Sequence, residues 1–483
     1  MKLKSYLLSI LVFTLLAAPA ARSQELETGY FLGGNPYAFR LNPAFQSERN
    51  IFSLVLGQTG LGLSSNLGIS TLFYPDSNGS LYTFMNDRVS AADFMRKVGK
   101  NNSIGVDGRV NVLTLGFWAD QRFFTIDINV RSLNAVSAPY DLFSFWKEGT
   151  ESKTSFDFSG TGLRAKEFVE AAFGWSKNFD NRFNIGFRAK ALVGIVEAEL
   201  LAKNAKLSMT GERWEVQAES ILNASSPSLT YTKSGNELDL NSIDFDDKHI
   251  GPAGFGTAVD LGASWNVLPV LTLSASILDL GAMLWNREIK GKSPEAAYTW
   301  APAEQQEQSE GNMDWQGEID QAMDALSGVF RFQDVSGSGS KLDMLPFRVN
   351  LGAEFRMPFY ERLTVGALYQ GRGGSCFTRH TGRLSLNWNP LDFLSMSTST
   401  ALNNLGESIG FALNLHPAAF NLLIGCDYIP FNVTSIAPLI NDLPERYKSL
   451  AILPRDHMNL NVYVGLNLAL GRSRLDHKKR YMW

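Results

Sequence analysis

Cysteine and histidine are scarce in this chain. Its 483 residues hold two cysteines, Cys376 and Cys426, and five histidines, His249, His380, His416, His457 and His477. No spacing among them suits a metal site, and no phosphate-cradling glycine loop occurs. A nucleophile needs a base and an orienting partner, and His380 or His457 near a rim beside a serine is a thin basis for one. The chain therefore reads as a non-enzyme without cofactor or metal. Beyond the first residues, no apolar run approaches the ~18 residues of a spanning helix, which excludes a helical inner-membrane protein. A basic excess is also missing: the formal charge is −4. That argues against a nucleic-acid surface, which requires basic stripes.

Lys2 and Lys4, the apolar stretch Leu7–Ala18 and the small-x-small triplet Ala21-Arg22-Ser23 read as an export signal over 1–23. Its removal takes away three cations and leaves −7. Export permits a disulfide, so Cys376 and Cys426 are either a pair or two free thiols.

What the chain does contain is alternation. In Asn459–Gly471, Leu460, Val462, Val464, Leu466, Leu468 and Leu470 share one face, while Asn459, Asn461, Tyr463, Gly465, Asn467 and Ala469 share the other. Successive side chains of a strand point to opposite faces, and about 9–11 residues cross a bilayer at a tilt. Similar runs begin at Phe124, Phe183, Phe255, Phe347 and Ile409. Glycine (42 residues) and aromatics (12%) are plentiful, yet mean hydropathy is only −0.09. A membrane barrel hides its apolar content in this way.

Six short Asn, Asp or Pro turns recur, near Asp120, Asp180, Val267, Phe359, Pro390 and Pro417. They alternate with long polar connections, read as irregular, at about 133–162, 196–251, 282–345, 372–380 and 429–457. Outer-membrane barrels pair short periplasmic turns with long external loops. The expectation is an all-β fold, a transmembrane antiparallel β-barrel of about 14 strands (range 12–16) over 51–471. Both termini are then periplasmic, with a short hatch at 24–50 and a basic tail at 472–483. Ser90–Val98 reads as a short helix. Met313–Phe330 reads as a loop helix whose Trp315, Ile319, Met323 and Phe330 are candidate ligand contacts, or merely its own packing face. Arg188, Lys190, Arg348, Glu354 and Arg356 fall on polar phases and should line the lumen, since a charge facing lipid costs ~2–4 kcal/mol. Mutual pairing and guidance of an anionic group are both open roles for them. The tail's Arg472, Arg474, Lys478, Lys479 and Arg480 could meet lipid head groups or be simply solvated.

Two segments carry a family resemblance. Asn42-Pro43-Ala44, followed by Phe45, resembles the N-terminal hatch of FadL-like and PorV-like outer-membrane barrels. Gly254-Phe255-Gly256-Thr257-Ala258-Val259-Asp260-Leu261-Gly262-Ala263-Ser264-Trp265, continuing through Leu273–Gly281, is similar to their mid-barrel hairpin. The resemblance implies a fourteen-stranded barrel plugged by a hatch, capture of a hydrophobic ligand by external loops, and lateral release. The chain departs from it in a shorter hatch and strongly polar loops. Three roles stay open: transporter or channel for a hydrophobic small molecule, handling of an exported protein as in the type IX shuttle, and a structural surface protein. Outer-membrane lipid is the surrounding partner in each.

Overall fold

The computed structural model describes residues 26–55, 57–75, 81–149, 153–180, 182–210, 213–234, 237–245, 251–286, 289–292, 332–335, 339–373, 378–429, 433–435, 452–454 and 458–471. The proposed loop helix with Trp315, Ile319, Met323 and Phe330 lies outside the described residues, as do Cys376, the export signal and the basic tail.

Fourteen wall strands pair antiparallel in chain order and close on themselves. β1 is broken in two, Asn50–Leu54 and Thr59–Ser65. β2 is Asn101–Ala119, β3 Arg122–Pro139, β4 Gly162–Phe179 and β5 Phe183–Thr210. β6 is Gly254–Leu268, β7 Leu271–Asn286, β8 Phe347–Arg356 and β9 Leu363–Gly373. β10 is Arg379–Leu391, β11 Leu394–Asn403, β12 Gly406–Leu415, β13 Phe420–Ile429 and β14 Met458–Leu470. Pairing of both parts of β1 with β14 closes the ring.

The wall is apolar outside and polar inside. Along β14, Val462, Val464, Leu468 and Leu470 are exposed, whereas Asn459, Asn461, Tyr463 and Asn467 are buried. The same split runs around the ring: Phe187, Val259, Leu351 and Phe411 face out, and Arg188, Asp260, Asn350 and Ser408 face in. Water would expel such an outer belt, whereas lipid accepts it. Aromatics gather at the short-turn end, where Phe117, Phe179, Trp265, Tyr360, Trp388 and Phe420 are exposed, the girdle position of a membrane barrel. Among the described residues no helix is long and apolar enough to cross a membrane; here the crossing is made by strands.

Three expectations change. The connections 133–162 and 196–251 are not irregular. β3 runs to Pro139, and β5 extends over 28 residues. At ~3.3 Å per residue and a ~40° tilt, that strand rises ~70 Å, against an apolar band ~25 Å tall. Its outer part pairs with Arg213–Ser225, which pairs with Ile289–Lys292, and the sheet continues through Gln333–Asp334, Glu237–Phe245 and Leu229–Ser234. Above the membrane the alternation is reversed. Ala202, Ala205 and Leu207 are buried with Leu142, Phe156 and Phe158, while Lys203 and Lys206 are exposed. A water-facing strand therefore looked like a polar loop. Third, a tight turn at Asn403–Gly406, at the long-connection end of the barrel, joins β11 to β12. Asn403 Oδ1 accepts the Leu405 N–H at 2.7 Å, and Gly406 takes φ 115°.

The short helix spans Ala91–Met95, shorter than the expected Ser90–Val98, with Ser90 at its N-cap position and no side-chain cap bond. Phe94 and Val98 are buried, as their spacing predicts, in a cluster with Leu67, Val89, Met95 and Phe143. Phe143 comes from a second helix, Tyr140–Glu148.

Candidate functional site: the hatch and the lumen

Residues 26–49 lie inside the ring, and their side chains meet nearly every wall strand. The first anchor is at the amino end. Asp427 of β13 accepts the backbone N–H groups of Glu27 and Thr28, each at 2.8 Å, and also bonds the Thr28 and Tyr463 hydroxyls. Arg383 of β10 reaches Glu27 at 3.0 Å and Asp427 at 3.4 Å. The Tyr428 hydroxyl donates to Glu27. Asp427 pairs in register with Asn461, three residues from the start of β14 at the long-connection end of the barrel. This anchor therefore sits high in the lumen.

From there the chain descends. Gly34 O accepts from Asn414 at 2.9 Å near the short turns. The short helical turn Ala38–Arg40 follows. Arg40 is 1% exposed. It donates to Asp127 at 2.9 and 3.2 Å, to the Thr114 hydroxyl at 3.0 Å and to Gln58 O at 3.2 Å. Burial pushes the Tyr37 phenol up to about 12 and raises Tyr30 as well. Tyr37 donates to Leu466 O at 3.1 Å, and the Tyr30 hydroxyl shares a hydrogen bond with Ser274 Oγ at 3.1 Å.

The Asn42-Pro43-Ala44 turn fills a recess in the wall. Asn42 Nδ2 donates to Ala263 O and Ala275 O, both at 3.2 Å, and Asn42 Oδ1 accepts the Ala44 N–H at 3.0 Å. Leu41 O accepts from Ser276 at 2.8 Å and Asn350 at 2.9 Å. The recess exists because two inward wall positions are glycine. A Cβ on Gly186 would stand 2.0 Å from Pro43 O, and one on Gly262 2.1 Å from Asn42 Oδ1. Phe45 packs edge-on to Tyr30, centroids 5.1 Å apart. Gly262→Val should therefore expel this turn while leaving the strands paired. The expected result is new protease cleavage within residues 40–49 of the folded barrel; wild-type resistance in the variant would contradict the recess argument.

Above the hatch lies a buried charge network. Asp127 bridges Arg40 of the hatch and Arg188 of the wall (2.7 Å), and Arg188 also reaches Asp260 at 3.1 Å. Lys190 reaches Asp260 at 2.7 Å and Asp279 at 2.6 Å. Arg131 joins Glu170 and Asp279, each at 2.9 Å, and Arg348 reaches Asp279 at 3.4 Å. The expected lining residues Arg188, Lys190 and Arg348 thus meet in one place. Glu354 and Arg356 do not join them. They lie toward the short-turn end of β8, where Glu354 accepts from Thr364 at 2.8 Å.

Asp279 is the hub of this network and Asp427 the hub of the amino-end anchor, and strict alternation hides the reason for both. At Val259–Leu261 the β6–β7 register slips, so Leu278 and Asp279 together oppose Asp260. Both then face inward, with Asp279 at φ 60°. A bulge of this kind turns an extra side chain to one face. The β12–β13 register slips likewise between Ile409 and Phe411, and Asp427 and Tyr428 both face in. Gly406-Glu407-Ser408-Ile409-Gly410 has the spacing of a serine nucleophile elbow. It lies along β12 rather than at a strand-to-helix turn, and no hydrogen bond links Ser408 to a histidine among the described residues. Cys426 forms no disulfide among the described residues.

A family model described as "Family of unknown function (DUF5723)" matches residues 43–427. No curated protein matches. Similar solved structures include the Ralstonia pickettii toluene transporter TbuX, at 8% identity, 93% of this chain, 99% of that chain and a TM-score of 0.45. The P. putida toluene transporter TodX has 9%, 94%, 96% and 0.40, and a Pseudomonas aeruginosa FadL homologue has 11%, 93%, 99% and 0.42. The fold itself rests on the strand pairing described above.

Proposed function

This chain belongs to the DUF5723 family, a family of unknown function, and we propose that it is an outer-membrane transporter for a small molecule with an apolar body, gated by its own hatch. The observation that supports this reading is the mode of hatch seating. Residues 26–49 are held by side-chain hydrogen bonds, ion pairs and glycine recesses rather than by strand pairing. Such contacts can be released piece by piece while the wall stays closed. At the external mouth, Phe84, Phe94, Phe143 and Trp146 form an aromatic cluster, with Phe84 stacked on Phe94 at 4.4 Å. In this proposal the cluster collects the apolar body, assisted by Trp315, Ile319, Met323 and Phe330. The short turns and the carboxy end are periplasmic.

A lock tests the gate. A Cβ on Gly425 would approach Leu26 Cδ1 to 2.5 Å, so Leu26→Cys with Gly425→Cys, in a background with Cys376 and Cys426 replaced by serine, should allow a bond between hatch and wall. Uptake of an apolar naphthalene dye into proteoliposomes should stop on oxidation and return on reduction. Equal uptake in both states would sink the gate, and no uptake by the wild type would sink the transporter.

The external sheet above β5 favours a second reading, in which the crown holds an exported protein. A stoichiometric exported protein on barrels purified from native membranes would move this reading ahead.

A further inference from the structure

The upper lumen carries a row of like charge. Arg348 of β8 is the register partner of Arg372 in β9, and Arg372 is the partner of Arg379 in β10. All three side chains lie on the inward phase of their strands. Like charges directly opposed on neighbouring strands repel, so the row requires compensation. Arg348 finds Asp279. Arg372 finds Asp107 at 2.6 Å, across the lumen on β2, seven strands away around the ring. Arg379 finds no carboxylate and no hydrogen-bond acceptor among the described residues. Its guanidinium lies 5.4 Å from the centre of the Tyr428 ring, and the residue is only 6% exposed. The Nε atoms of Arg372 and Arg383 are also buried without a partner. The sequence of the loop between β9 and β10 supplies no acid: residues 374–377 are Gly, Ser, Cys and Phe.

A buried cation without a counter-charge is unfavourable, and a guanidinium presents a fork of donors suited to planar or tetrahedral oxyanions. Neighbouring strands ~4.8 Å apart set the three arginine backbone positions side by side at one height of the wall. We propose that Arg348, Arg372 and Arg379 form an oxyanion-binding site in the upper lumen, taking a phosphate, sulfate or carboxylate group, either as a free ion or as the polar end of an amphiphile. The site does not depend on the transporter reading, because its test measures binding and not passage.

The test is calorimetric titration of the full-length protein in a neutral detergent. One probe is inorganic phosphate; the other is a short-chain alkyl phosphate below its micellar concentration. Wild type should bind at least one of them. Arg379→Gln should bind at least tenfold more weakly, Arg379→Lys should recover part of the loss, and Arg362→Gln, at a short turn, should bind as wild type. An alkyl phosphate at least tenfold tighter than the inorganic ion identifies an amphiphile; comparable affinities identify a free ion. Thermal unfolding without anion supplies a second readout, in which Arg379→Gln should melt at or above the wild type. Absence of binding by the wild type, or equal binding by Arg379→Gln, overturns the proposal. So does a variant that melts below the wild type without anion, since that would reveal a protein partner for Arg379.

Discussion

Asp279→Asn should unfold from lipid vesicles at clearly lower urea than the wild type, with a loss of about 3–5 kcal/mol, the usual cost of removing one partner from a buried ion pair. Asp279 is fully buried and meets Arg131, Lys190 and Arg348. Its replacement leaves three cations sharing Glu170, Asp260 and each other. Asparagine tolerates the left-handed backbone at φ 60°, so this variant isolates the charge. Asp279→Ala should lose more, because alanine adds conformational strain there. An Asp279→Asn variant with the wild-type midpoint would show that the three cations are balanced without this carboxylate.

Asp427→Ala should release the amino end of the hatch. The carboxylate accepts two hatch N–H groups and faces Arg383. Without it, the Glu27 and Thr28 amides are buried with one acceptor fewer, at about 1–3 kcal/mol for each unsatisfied group. The expected outcome is a barrel that still migrates faster unheated than heated in gels, but whose residues 26–34 become open to protease and whose dye uptake rises. Wild-type uptake with protease-sensitive residues 26–34 would separate hatch release from gating. Unchanged protease resistance would mean that Arg383, Glu27 and Tyr428 hold the end unaided.

Much of the fold was legible because a membrane wall imposes one sign on alternation. Val462, Val464 and Leu468 face lipid, so their phase gives the register of β14 directly, and the turn residues near Asp120 and Pro417 mark where strands reverse. Two circumstances hid the rest. Where β5 leaves the bilayer its apolar phase turns inward, and Lys203 and Lys206 made a strand look like a loop. At the bulges, one extra residue shifts the phase. Ile277 faces out, so strict alternation would put Asp279 in lipid, and only the register slip brings it into the network. The hatch turn could be read from Asn42-Pro43-Ala44. Arg40 and Glu27, which tie the hatch to Asp127 and Arg383, lie in a segment with no period, and nothing local marks their partners 87 and 356 residues away.

The break in β1 bears on how the molecule is put together. Between Phe52 and Thr59, β1 advances seven residues while its partners in β14 advance four, from Leu468 to Val464. Next to this gap the hatch provides hydrogen bonds of its own: Tyr37 to Leu466 O on one side, Arg40 to Gln58 O on the other. The first and last strands of the ring are thus stitched by residues that precede both. Seating the hatch therefore also completes the seam between the first and last strands.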